Sequence, residues 1–129
     1  MTLEEKQQEF IDMFNDLGEW NNKFDYLISL SDEQQPMPAH MVIPENKIQG
    51  CVSQTYFCCT YLNDVAYIYG QSNACIPSGL VAVVKELFQG YTRQEIHDTV
   101  IKFHTDTELL EHLTPARSGA LLQILSRII

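Results

Sequence analysis

The residue best placed for chemistry in this chain is a thiol where a loop meets a strand. Cys51 follows Gly50 and precedes Ser53 and Gln54, at the junction between a proline-rich stretch and a β-patterned segment. A thiol at such a junction can meet an incoming group, and neighbouring hydroxyl and amide groups can stabilise its thiolate. The same pattern also fits a small packing residue beside a turn glycine, because free cysteine is among the most buried residue types. Cys58, Cys59 and Cys75 have no comparable setting, and Cys58 and Cys59 are adjacent within a strand pattern. No Cys-x-x-Cys, His-x-x-x-His or His-Glu-x-x-His spacing relates the four cysteines to His40, His97, His104 and His112, so no metal site is expected. A glycine-rich phosphate loop, paired carboxylates and a Ser-His-Asp arrangement are likewise missing from the pattern.

The elements that must position Cys51 are read from periodicity. Thr2-x-x-Glu5 is a capping box, followed by Leu3, Phe10, Ile11, Phe14 and Leu17 at helical spacing, with Gly18 placed to stop the helix. Trp20, Phe24, Leu27 and Ile28 predict a second helix. Ser31 to Pro44 holds Pro36, Pro38 and Pro44 and reads as an irregular connection over the surface. Ser53 to Leu62 and Val65 to Tyr69 alternate as strands around Asn63-Asp64, a pair suited to a two-residue hairpin loop. That loop sets Leu62 opposite Val65, Thr60 opposite Tyr67 and Cys58 opposite Tyr69, with Phe57, Cys59, Tyr61, Ala66 and Ile68 on the other face. Residues 42 to 49 are expected to supply a third antiparallel strand.

Helical period returns with Leu80, Val83, Val84, Leu87 and Phe88, from a start between Ser72 and Ile76 that puts Pro77 in the first turn. Thr92-x-x-Glu95 and Thr105-x-x-Glu108 read as further capping boxes, and Thr114-Pro115 as a cap before a first-turn proline. Ala120, Leu121, Ile124, Leu125 and Ile128 form the apolar face of a last helix. Two helices, a β-meander and more helices make an α+β fold: a small antiparallel sheet of about three strands packed by helices, in a single domain over residues 1–129.

Composition narrows the function. Among 129 residues, 45% are hydrophobic, and eight Lys and Arg against seventeen Asp and Glu leave a charge of −9. Nucleic-acid affinity rests on cations that displace phosphate counterions, so this balance argues against nucleic acid or anionic lipid as a partner. The longest aliphatic run, Leu80 to Val84, is far shorter than the roughly 20 residues of a membrane span. The start Met1-Thr2-Leu3-Glu4-Glu5-Lys6 lacks a basic, apolar leader, and a cytoplasmic location is expected, where disulfides are disfavoured.

Three segments resemble a known family. Gly50-Cys51-Val52-Ser53-Gln54-Thr55-Tyr56 is similar to the Gly-Cys-Gln-Ser-Gln-Val-Trp of SufE-like cysteine desulfuration proteins, the sulfur acceptors of iron-sulfur cluster assembly. Gly70-Gln71-Ser72-Asn73-Ala74 and Gly79-Leu80-Val81-Ala82 resemble that family's Gly-x-Ser-Asp-Ala and Gly-Leu-Ile-Ala. His112-Leu113-Thr114-Pro115-Ala116-Arg117-Ser118 resembles its His-Leu-Thr-Pro-Ser-Arg-Ser. Val52, Tyr56 and Asn73 depart from the usual Gln, Trp and Asp.

The resemblance implies a fold shared with SufE and the IscU-type scaffolds, and it puts Cys51 in the place of the acceptor cysteine. It implies a pyridoxal-phosphate cysteine desulfurase as donor, an iron-sulfur scaffold complex as recipient, and a transient Cys51 persulfide with no resident cofactor. A regulatory module that binds a desulfurase without accepting sulfur, or a cluster scaffold, are the alternatives. Arg117 is a candidate for stabilising the thiolate or for a surface or partner contact, and His112 for carrying a proton or for a structural bond. Ser53 and Gln54 are candidates for donating to sulfur or for satisfying the turn's backbone, with Gly50 as loop support. A loop over residues 45 to 54 that shelters the thiol and turns it out on docking would serve an acceptor. An isologous homodimer would leave no mark in one chain.

Overall fold

The computed structural model describes residues 1–129 and follows the order α1 (Leu3–Asp16), α2 (Trp20–Asp32), β1 (Thr55–Leu62), β2 (Val65–Ser72), α3 (Cys75–Phe88), α4 (Arg93–Asp98), α5 (Phe103–Asp106), α6 (Leu109–His112) and α7 (Pro115–Ser126). It is an α+β fold. The Thr2 capping box forms: the Glu5 N–H donates to Thr2 Oγ1 at 3.1 Å and the Thr2 N–H to Glu5 Oε1 at 3.0 Å. Gly18 takes a φ of +84° just past α1, a backbone that side chains resist, and so turns the chain into α2.

The hairpin has the expected register, from Leu62 opposite Val65 through Cys58 opposite Tyr69 and on to Thr55 opposite Ser72. Asn63 and Asp64 both hold positive φ, at 51° and 68°, which matches the twist of a two-residue turn to the strands. Phe57, Ala66 and Ile68 are fully buried on the inner face, where Cys59 and Tyr61 also pack against the core.

The sheet has two strands, not three. Within residues 42–49, Pro44–Asn46 forms a 3-10 turn, and the Asn46 amide reaches back to the Met41 carbonyl at 2.8 Å. Proline supplies no N–H for a ladder, so the chain curls there and only an isolated Lys47 to Tyr56 bridge remains, beside an Ile48 N–H bond to the Thr55 carbonyl at 2.9 Å. Other groups cover the edges instead. On β1, the Arg127 guanidinium donates to the Phe57 carbonyl at 3.1 Å. On β2, the Ala66 N–H donates to the Tyr91 carbonyl at 2.9 Å, the Ile68 N–H to Gln89 Oε1 at 3.1 Å, and the Gln34 amide to the Gly70 carbonyl at 3.0 Å. With the backbone groups paired in this way, no third strand is required.

The central helix, α3, buries Ile76, Leu80, Val81, Val83, Val84, Leu87 and Phe88, and Pro77 sits in its first turn. At Gly79 the backbone of α2 comes so close that a Cβ would collide with the Leu27 carbonyl oxygen. Glycine therefore sets the distance between α2 and α3. α7 closes the other side with Ala120, Leu121, Ile124 and Leu125 buried, and Ile128 follows beyond its end.

Thr92 and Thr114 cap α4 and α7 as expected, receiving the N–H of Glu95 at 3.1 Å and of Arg117 at 3.4 Å. The expected capping box at Thr105 does not form. Thr105 lies within α5 and donates to the Lys102 carbonyl at 3.1 Å, while Glu108 takes a left-handed φ of 62° and begins α6. Two one-turn helices joined by a tight reversal replace the single helix start that the spacing predicts. The buried amide of Gln7 supports this region from α1: it donates to the Val100 carbonyl at 2.9 Å and accepts from the N–H groups of Lys102 at 2.7 Å and Phe103 at 3.0 Å.

Candidate functional site

Cys51 sits in a loop of four residues, Gly50 to Ser53, that is held at both ends. Upstream, the Gln49 N–H donates to Gln123 Oε1 at 2.9 Å, and Gln123 Nε2 donates to the Gln49 carbonyl at 2.6 Å. Further back, Arg127 donates to the Lys47 carbonyl at 3.0 Å, so α7 and the residue after it secure this whole arm. Downstream, the Gln54 N–H donates to Asn73 Oδ1 at 2.9 Å and its carbonyl accepts the Asn73 N–H at 3.3 Å. Between these grips Gly50 adopts a φ of +75°, which reverses the chain before the thiol. Val52 is 98% exposed at the tip.

The sulfur itself is half-buried and packs partly against the core. Ser53 Oγ lies 2.8 Å from Sγ and Thr55 Oγ1 lies 3.8 Å away. Burial works to raise the thiol pKa, but the Ser53 and Thr55 hydrogen bonds and the Arg117 positive charge together outweigh it and leave the pKa below the ordinary thiol value. Cys59 is the contrast: burial pushes that thiol up. Hydroxyl bonds and a nearby cation thus favour the ionised form of this thiol relative to that of Cys59.

The sequence candidates separate accordingly. Gly50, Cys51 and Ser53 form the loop and its sulfur contact. Gln54 takes part through its backbone, anchoring the downstream end. Arg117, in the first turn of α7, acts on the thiol by charge. His112 is placed elsewhere: its ring stacks on Trp20 with centroids 3.8 Å apart and planes at 13°, and its Nδ1 lies 3.0 Å from the Glu108 carbonyl. Lys23 lies over the same indole at 4.6 Å, so His112 and Lys23 both pack on Trp20.

Thr55, Ser72, Asn73, Gln123 and Arg127 also belong to the site; the first three lie within the segments that resemble the family but carry no role assigned there, and Gln123 and Arg127 stand out in no pattern. The hairpin register, followed three pairs past Cys58 and Tyr69, sets Thr55 against Ser72 and is the signal that could have found that pair. Nothing in the sequence pattern relates Gln49 to Gln123. No three His, Cys, Asp or Glu side chains converge as a group able to hold a metal ion.

The fold is a small α+β domain that presents one half-buried thiol on a short loop clamped at both ends. The chain belongs to the SufE family: the family model described as "Fe-S metabolism associated domain" matches residues 8–129. Membership places the protein in iron-sulfur metabolism. Its fold is also similar to the solution structure of a hypothetical protein from Thermus thermophilus, with a TM-score of 0.73 at 16% identity, covering 99% of this chain and 96% of that one. No helix is long and apolar enough to cross a membrane.

Proposed function

We propose that this protein accepts sulfur on Cys51 from a pyridoxal-phosphate cysteine desulfurase, stimulating that enzyme, and delivers it to an iron-sulfur scaffold complex. The observation that carries this reading is the half-buried thiol with a lowered pKa, held by Ser53 next to a fully extruded Val52. The Cys51 thiolate attacks the outer sulfur of the donor's cysteine persulfide. A new S–S bond forms at Cys51, the donor's S–S bond breaks, and the donor cysteine leaves as its thiolate. Atoms and charge balance without a cofactor in this chain. To reach the donor the Gly50 to Ser53 segment swings outward as a unit, which parts Ser53 from Thr55 while the amide grips on Gln49 and Gln54 keep the loop stem in register.

Incubation with a cysteine desulfurase and L-cysteine, followed by intact-mass measurement without reductant, tests the reading. One added sulfur on the wild type and none on Cys51→Ser is the expected result. Desulfurase stimulation that survives in Cys51→Ser would instead mark a regulatory module, and sulfur found on Cys58, Cys59 or Cys75 would overturn the assignment.

A further inference from the structure

The Cys51 sulfur is the end of a file of hydroxyl groups that begins just before α3, and Thr55 within it also touches the sulfur directly at 3.8 Å. Ser53 Oγ lies 2.8 Å from Sγ, Thr55 Oγ1 lies 3.0 Å from Ser53 Oγ, and Ser72 Oγ lies 2.8 Å from Thr55 Oγ1. The file closes on the Ala74 N–H, which donates to Ser72 Oγ at 3.2 Å. This last bond has its direction set by chemistry, because a backbone N–H can only donate. Each hydroxyl has one proton to give. A thiolate sulfur can only accept, so with Cys51 ionised the Ser53 proton goes to sulfur, the Thr55 proton to Ser53 and the Ser72 proton to Thr55, which leaves Ser72 Oγ to accept from Ala74. Every bond then points toward Cys51, the orientation that favours thiolate over thiol. Thr55 is 0% exposed, so water cannot replace its bonds, and the file approaches the sulfur from the hairpin side rather than across the open face of the loop.

Resting on the reading of Cys51 as the acceptor thiol, we infer that Thr55 and Ser72 are positioning residues that orient the Ser53 hydroxyl toward sulfur and so raise its thiolate fraction. Chains of hydrogen bonds polarise one another in a poorly solvated interior, and removing a middle member weakens the terminal bond. The β1 to β2 pairing makes this possible, since it sets Thr55 directly opposite Ser72.

The test is the rate of iodoacetamide labelling of Cys51 against pH, read peptide by peptide by mass spectrometry on the full chain, with Cys75 labelling as the internal reference. For Thr55→Val the midpoint of the Cys51 profile moves up and labelling at neutral pH falls roughly three- to tenfold, a loss moderated because a more basic thiolate is also more nucleophilic. Thr55→Ser keeps the wild-type profile. Ser72→Ala moves the midpoint the same way by a smaller amount, and it decides the matter should Thr55→Val fail to fold, because Ser72 is only half-buried. Superimposable profiles for wild type, Thr55→Val and Ser72→Ala would overturn the inference. Labelling needs no desulfurase, so the two readings fail separately. A shifted midpoint without sulfur uptake by the wild type would retain the hydroxyl file and remove the carrier role, and sulfur uptake without a shifted midpoint would do the reverse.

Discussion

Gln123 holds Gln49 by both ends of one amide, accepting its N–H at 2.9 Å and donating to its carbonyl at 2.6 Å. The side chain thereby imitates a short stretch of β-ladder at the entrance to the Cys51 loop. Across the loop, the side chain and backbone of Asn73 make a similar double contact with Gln54. The thiol is carried on a short span between two fixed points.

Gln123→Ala removes the upstream grip. Both bonds lie near solvent, so the expected loss is about 1 kcal/mol of local stability, roughly fivefold in the opening equilibrium. Hydrogen exchange at Gln49 and Gly50 should quicken by that factor while exchange in β1 and β2 stays unchanged. Faster exchange across the whole hairpin would mean that the contact supports the fold rather than the loop.

Asn73→Asp keeps the oxygen that receives the Gln54 N–H, and the Asn73 N–H bond to Gln54 belongs to the backbone. The substitution should retain thermal stability and loop exchange close to wild type. Asn73→Leu removes the acceptor and should speed exchange at Gln54 by roughly the factor expected for one modest hydrogen bond, about threefold to tenfold.

Gly79→Ala places a methyl group against the Leu27 backbone, where a flexible side chain cannot give way. Overpacking of this kind costs about 1–3 kcal/mol. Chemical denaturation should show the loss in midpoint with an unchanged slope. A neutral result would mean that α2 and α3 slide apart freely.

Gln7→Leu keeps the volume of a side chain that is 1% exposed and strands the N–H groups of Lys102 and Phe103. The Phe103 donor is buried and the Lys102 donor partly so; an orphaned buried donor costs about 1–3 kcal/mol, so this substitution should exceed the typical surface change several-fold. Thermal unfolding measures it directly.

The acid side of the stability curve should carry a mark of His104. Burial lowers its pKa, against a smaller opposing effect of Asp106, and its Nδ1 has no hydrogen-bond partner. A depressed folded-state pKa means that the unfolded chain takes the proton first. Stability is therefore full above the ordinary histidine value of about 6.5 and falls as pH drops through that value toward the folded one. Denaturant midpoints between neutral and mildly acidic pH should fall less steeply in His104→Leu than in wild type. Equal slopes would place the acid sensitivity elsewhere.

The hairpin is legible in the sequence because its cues are local. Asn63 and Asp64 tolerate the left-handed backbone that a two-residue turn needs, and once Leu62 faces Val65 every later pair is determined. The two-sided character of the cysteines follows at once. The third strand fails because an extended pattern over 42–49 takes no account of Pro44 and the Asn46 bond to Met41, which curl the chain. Thr105 misleads for a similar reason: a box pattern fits the letters, but the backbone reverses at Glu108 instead.

The one-dimensional chain decided which thiol stands beside a turn glycine, where most helices start and stop, and which residues face each other across the hairpin, because those features depend on neighbours within a few positions. Ser53, two positions on, is legible beside that thiol in the same way; tertiary structure decided what else reaches it. Gln49 and Gln123 are 74 positions apart, and Arg117 and Ser72 reach the loop from different helical and strand layers. Hydrogen-bond geometry and charge proximity between such residues exist only once α3 and α7 have packed on the hairpin, since packing brings them within the few ångströms at which these forces act.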